Sequence, residues 1–123
     1  MTNIEIVQMH SGLINLRAQA DLRFPARVSF AILHNMKILE PIIESYEAAR
    51  MELVHRHGQE VPEQPGAYQI HEGQVEEFSK EFDALNKIEN EVTLTKIKMS
   101  DIEDIQLSVD NVAALYPMIE EEG

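Results

Sequence analysis

The chain contains no cysteine. That excludes disulfides, thiolate metal sites and a cysteine nucleophile at once. It also lacks any run approaching about 18 consecutive apolar residues, the length a membrane-spanning helix needs. Its N-terminus has no basic region followed by an apolar one, so no export signal is expected there. Positive charge is scarce. Ten Lys and Arg stand against 22 Asp and Glu, for a net charge of −12. A surface so poor in cations argues against direct binding of duplex nucleic acid through its backbone. There is no calcium-loop pattern, no phosphate-binding glycine loop, no GxSxG and no HExxH. The expectation from these absences is a soluble cytoplasmic protein without a cofactor, without a membrane and without recognisable catalytic machinery.

The charge that is present is unevenly placed. Residues 1–58 hold six basic and six acidic side chains, whereas residues 59–123 hold four and sixteen. All of the net charge therefore lies in the second half. Solubility is the plain reason for such a surplus; a basic protein partner or mimicry of nucleic acid are the functional ones. At 123 residues the chain is long enough for one domain with a core of its own.

The stretch Phe24–His57 organises the rest. Pro25 suits a first helical position. Val28, Ile32, Leu39, Ile42 or Ile43, Tyr46, Ala49 and Leu53 then recur at helical spacing. Leu33, Met36, Ile38 and Met51 widen that face, which predicts covering on more than one side and self-association into a homo-oligomer. Pro41 interrupts the run and predicts a kink near 37–40 rather than a break. Gly58 reads as a left-handed stop. Upstream, Thr2 or Asn3 caps a first helix with Glu5 in its first turn. Its apolar stripe reads Ile4, Val7, Leu13 or Ile14, Leu16 and Leu22, and Gly12 suggests close approach of the long helix. The short link through Phe24, placed as a staple, predicts an antiparallel hairpin.

Beyond it, GQEVPEQPG (58–66) is a loop by its Pro and Gly content. Ala67–Ile70 alternates like a short strand, and Gln74–Ile88 returns to helical period with Val75, Phe78, Phe82, Leu85 and Ile88 on one face. Glu91–Met99 is rich in β-branched residues and is the strongest strand candidate, pairing with 67–70 and with Ile105–Leu107 as a possible third strand. Residues 100–103 fit one helical turn. Ser108 caps a last short helix over Val109–Ile119, and Glu120–Gly123 is an acidic tail. The fold class is α+β, mostly α: a long kinked helix in an antiparallel hairpin, a two- or three-stranded antiparallel sheet and two further helices. Residues 1–123 form one domain, divided into a hairpin (1–58) and an acidic α+β part (59–123).

Four groups of residues carry possible chemistry. Arg17, Arg23 and Arg27 surround the first interhelical turn, with Lys37 further along, and could hold a small anion or an acidic surface; solvation, or pairing with Asp21, Glu40 and the acidic half, is the structural alternative. Glu52 and His55 share a helix face as a metal pair would, but no second Glu-x-x-His exists to complete a di-iron site. His55 and His57 read as surface residues at a helix end. His34 and Asn35 sit among apolar neighbours, where a hydrogen-bonded structural role outweighs a catalytic one, and Tyr46 and Tyr116 read as core or interface residues. The acidic pairs Glu76–Glu77, Asp101 with Glu103–Asp104, and Glu120–Glu122 lie in charge runs rather than in a converging cleft.

The segments FPARVSFAILHNMKILEPIIESYEAARMEL, EEFSKEFDALNKIENEV and TLTKIKMSDIEDIQLSVDNVAALYPMIEE, in that order after a short first helix, resemble a family of small proteins without assigned activity encoded by tailed bacteriophages and prophages. The likeness covers most of the chain as a pattern of apolar and charged positions. It implies a viral gene expressed in a host bacterial cytoplasm and carries over no catalytic residue. The expected role is therefore binding rather than turnover. The protein would be host-directed, inhibiting a bacterial factor or sequestering a small anionic defence signal. Alternatives are a virion assembly or structural protein held as a homo-oligomer, and an enzyme whose site forms across subunits.

Overall fold

The computed structural model describes residues 1–120. It contains four α-helices, α1 (Asn3–Arg17), α2 (Ala26–His57), α3 (Val75–Asn86) and α4 (Val109–Leu115), and one two-stranded antiparallel sheet, β1 (Gly58–Glu60) with β2 (Tyr68–Ile70). The class is mostly α with a small sheet, as the periodicities imply.

Helix α1 starts where local chemistry says it should. The Thr2 hydroxyl accepts from the Glu5 amide at 3.3 Å, and the Glu5 carboxylate accepts from the Thr2 amide at 2.8 Å, closing a capping box. Those bonds from Thr2 hold the Glu5 carboxyl below its ordinary value. With a depressed folded pKa, the contribution is present above about 4.5 and is lost as pH falls through the lower folded value. The apolar buried face is Ile6, Met9, Leu13 and Leu16: Leu13 and Leu16 belong to the expected stripe, while the first two turns bury Ile6 and Met9 in place of Ile4 and Val7, a second register. Both registers have helical period. Which one turns inward is decided by α2 and α4, against which α1 packs. Each of those buried side chains contributes about 1.5–3 kcal/mol.

Helix α2 runs unbroken through Pro41. The proline removes one donor to the Lys37 carbonyl, but Lys37 and Pro41 both lie on the exposed side, where water can satisfy the freed group. Pro25 is the residue before the helix, with ψ at 153°, rather than its first helical position. Val28, Ala31, Ile32, Met36 and Leu39 enter the main core.

Both halves of the chain build that core. Leu94, Ile97, Ile102, Leu115 and Met118 pack with the α1 and α2 residues. Toward its C-terminal end α2 is covered by α3 and the β-hairpin instead. There Tyr46 is buried and donates to Asn86 Oδ1 at 2.6 Å; burial, then the neighbouring Glu47, pushes its hydroxyl up, so it stays a donor. Helix α3, Val75–Asn86, lies within the expected 74–88 and ends two residues short of it; none of its residues is fully buried, and Val75 and, beyond its end, Ile88 are exposed. The Asp83–Lys87 pair forms at 2.8 Å.

Three expectations fail for identifiable reasons. Gly58 is not a left-handed helix stop: its φ and ψ are −148° and −172°, and it opens β1 opposite Ile70. A side chain there would stand 2.5 Å from the Gln69 carbonyl oxygen, so close strand approach is what requires glycine. Gly58→Ala should therefore disrupt the hairpin. The His71 and Val61 amides, which donate to His57 and Ala67, should lose hydrogen-exchange protection at least tenfold while core amides do not.

Second, residues 91–99 form no strand. Ile97 makes one isolated parallel bridge to Ile119, and the sheet that 67–70 joins is completed by 58–60. Residues 105–107 form no strand either. The segment is extended because its backbone is claimed from elsewhere. The Ile97 amide donates to Met118 O, and the Glu120 amide to Ile97 O. The Thr95 amide donates to Asn35 Oδ1 at 2.7 Å, while Asn35 Nδ2 donates back to Thr95 O at 2.9 Å. A buried amide on α2 thus does for Thr95 what a neighbouring strand would. Third, Gly12 does mark a close approach, but to α4. A Cβ on it would lie 2.9 Å from Ala114 Cβ.

The last helix behaves as its sequence suggests at its start. Ser108 Oγ accepts from the Asn111 amide at 3.1 Å. It stops at Leu115 and tightens into a 3-10 turn over Tyr116–Met118, where Pro117 lies. A similar turn covers Met99–Asp101. Of the acidic tail, residues 121–123 lie outside the described residues.

Candidate functional site

The arginine group does not assemble as a set of four. Arg17 and Arg23 line one cleft of about 330 Å³ at the α1–α2 connection, together with Gln19, Leu22, Phe24 and Ser29. Arg27 is diverted: its guanidinium lies 3.4 Å from Asp101 Oδ1, a carboxylate 74 positions away. Lys37 lies on the exposed side of α2 and does not line the cleft.

The histidines sort differently from their sequence reading. His55 is exposed and meets Tyr68 edge-on. His57 is buried, not a surface residue. Its Nδ1 is 2.8 Å from Gln74 Oε1, its Nε2 is 3.2 Å from Glu81 Oε2, and Arg56 reaches the same carboxylate oxygen at 3.1 Å. This cluster ties the end of α2 to α3. Among the described residues no group of three or more His, Asp or Glu is arranged to hold a metal ion. His34 is exposed, stacks on Phe30 and bonds Thr95 Oγ1 at 2.7 Å, whereas Asn35 is fully buried in the structural role described above. Among the described residues no helix is long and apolar enough to cross a membrane.

One concave surface is announced by no single stretch of sequence. A groove of about 890 Å³ runs between α1, the extended residues 92–96 and α4. Met9, Gly12 and Ala114 form its floor, Val92 and Leu94 one wall, and Ala113, Tyr116 and Pro117 the other. The polar groups at its edge are Glu5, Gln8, Thr93, Lys96 and Asp110. Glu5 is occupied by Thr2, and the Lys96 ammonium donates to the Pro117 carbonyl at 2.9 Å. Ala113 and Tyr116 also line a second hollow of about 540 Å³ with Leu107, Val109 and Val112.

Helix α4 is therefore a short apolar ridge with a hollow on each side. Val109 is 85% exposed and Tyr116 71% exposed. Val109 lines the second hollow and Tyr116 lines both. The signal in the sequence was compositional: apart from Asp110 and Asn111, the seven-residue helix Val109–Leu115 and the Tyr116 that follows it are apolar, more than one face needs. The groove itself was invisible because its lining runs from Met1 to Pro117 and joins stretches far apart in sequence. This arrangement offers shape and apolar contact. No protein-family model, curated protein or solved structure matches this chain, and the site's geometry is what speaks for its function.

Proposed function

We propose that the protein works by stoichiometric binding, as a phage-type accessory protein directed at a host factor, and that the α1–α4 groove with the α4 ridge is its contact surface. The carrying observation is the exposure of Tyr116, which lines both the groove and the neighbouring hollow, and of Val109, which lines that hollow, in a chain of net charge −12. The partner that fits is a protein segment with an apolar face and basic flanks. The apolar face fills the groove, and the basic residues meet the field of the acidic half.

The test is a paired pull-down from a bacterial lysate with immobilised wild type and the Val109→Glu/Tyr116→Glu variant. Both positions are exposed, so the variant should keep its helical circular dichroism. The expected outcome is a basic protein held in stoichiometric amount by wild type and released as salt rises, since exposed charges are screened over about 8–10 Å at physiological ionic strength. The variant should retain less than a tenth of it. If no protein distinguishes the variant from wild type, the reading fails.

A homo-oligomeric assembly role is the second reading. It is supported by Phe30 and Leu33 on α2, 63% and 44% exposed. Sedimentation separates the two: an assembly protein should form a defined oligomer that persists at high salt and dissociates in Phe30→Asp/Leu33→Asp.

A further inference from the structure

The chain is poor in cations, and four of its ten Lys and Arg side chains pair with carboxylates among the described residues. Arg27 meets Asp101, Arg50 meets Glu47, Arg56 meets Glu81 and Lys87 meets Asp83. Of the remaining six, Arg17 and Arg23 are two that share a cleft. Among the described residues neither pairs with a carboxylate, although Asp21 lies between them in sequence. Arg23 is steadied in the cleft by a bond from Nη1 to the Ala20 carbonyl at 3.1 Å, which leaves the rest of its fork free. Two like charges lining one small cleft present a complementary surface to a dianion.

The cleft is not only charged. Leu16 and Ile32 are buried at its base, with Leu22 and Phe24 half-buried beside them. Ser29 adds a hydroxyl. Its Gln19 wall is held rigid by a reciprocal amide pair with the buried Asn111 of α4, at 2.8 and 3.3 Å. Guanidinium forks match the oxygens of a phosphate, and an apolar base beside them suits a flat group carried on that phosphate. The volume lies at the lower end of the range for small-molecule sites, roughly 300–1,000 Å³.

We infer that the cleft formed by Arg17, Arg23, Leu22, Phe24, Ser29 and Ile32 binds an organic phosphate monoester, its dianionic head between the two guanidiniums and its apolar group against Phe24 and Ile32. Neither arginine lines the α1–α4 groove, so this site stands or falls independently of the protein-binding surface.

The test is calorimetric titration of the full chain at low salt with phenyl phosphate and, separately, inorganic phosphate, alongside amide chemical-shift mapping. Phenyl phosphate should bind with one-to-one stoichiometry and shift amides within residues 16–33. Inorganic phosphate should bind at least tenfold more weakly, because it makes no apolar contact. Arg17→Ala/Arg23→Ala changes only exposed side chains, keeps the fold, and should weaken phenyl phosphate at least tenfold. Absence of saturable binding to wild type overturns the proposal. So does equal affinity for the two probes, which would leave only a charge effect, and so does unchanged affinity in the double variant.

Discussion

Asn35→Leu should lower the unfolding free energy by about 3 kcal/mol, read as a fall in urea midpoint at unchanged slope. Asn35 is 0% exposed. Its amide satisfies both the N–H and the C=O of Thr95, at 2.7 and 2.9 Å. Leucine has the same branching and the same number of side-chain heavy atoms but a larger volume, so no cavity is made. What is lost is the partner of two backbone groups at once, each costing about 1–3 kcal/mol when left unpaired away from water. For a domain of this length the melting temperature should fall by roughly 10 °C. A loss below about 1 kcal/mol would mean that residues 92–97 find other partners, and the account of that segment would be wrong.

Asn35→Asp separates the two bonds. The carboxylate can still accept from the Thr95 amide, but it turns an oxygen toward the Thr95 carbonyl and places a charge in the core. Burial raises a carboxyl pKa. A raised folded pKa on an acid means stability lost as pH rises, so this variant should recover toward wild type as pH falls and the new acid is protonated to donate to Thr95 O. Asn35→Leu should show no such recovery. Because residues 92–94 form one wall of the α1–α4 groove, both variants should also weaken partner capture at neutral pH.

Gly12→Leu should be comparably damaging for the opposite reason, overfilling. Even a bare Cβ at Gly12 would lie 2.9 Å from Ala114 Cβ and 3.3 Å from its Cα. Ala114 has no rotamer through which to retreat, so α4 must move away from α1. Forcing extra methylenes into a packed contact costs typically about 1–3 kcal/mol, and leucine at this position belongs at the upper end. Gly12→Ala is the finer probe. It gains about 1 kcal/mol of helix propensity, and the contact with Ala114 should outweigh that gain. Adding Ala114→Gly should then restore part of the loss, a non-additive result expected only of residues in contact. If Gly12→Ala alone stabilises the protein, the α1–α4 approach is looser than described. Since Gly12 is floor and Ala114 is both floor and part of α4, displacement here should also abolish binding in the groove.

Local chemistry was legible wherever it is decided within a few residues. Thr2 with Glu5, and Ser108 before Val109, start helices because hydroxyl and carboxylate reach amides three positions away. The spacing of Phe78, Phe82 and Leu85 made α3, and the long apolar phase made α2 continuous through Pro41. The charge asymmetry and the absence of cysteine chemistry are properties of composition and needed no fold. Tertiary structure alone decided the rest. The register of α1 depended on what packed against it. The β-branched run at 91–99 is extended yet strandless because its partners are an asparagine amide 60 positions away and the chain at 118–120. Of four candidate cations, Arg17 and Arg23 were brought together, Arg27 was drawn off by Asp101, and Lys37 was left outside. The groove needs α1, residues 92–96 and α4 side by side. Periodicity and capping act over one or two turns of chain, so they fix each element separately. Which faces meet, and which stay open for a partner, depends on contacts between residues far apart in sequence, and those exist only once the chain has packed.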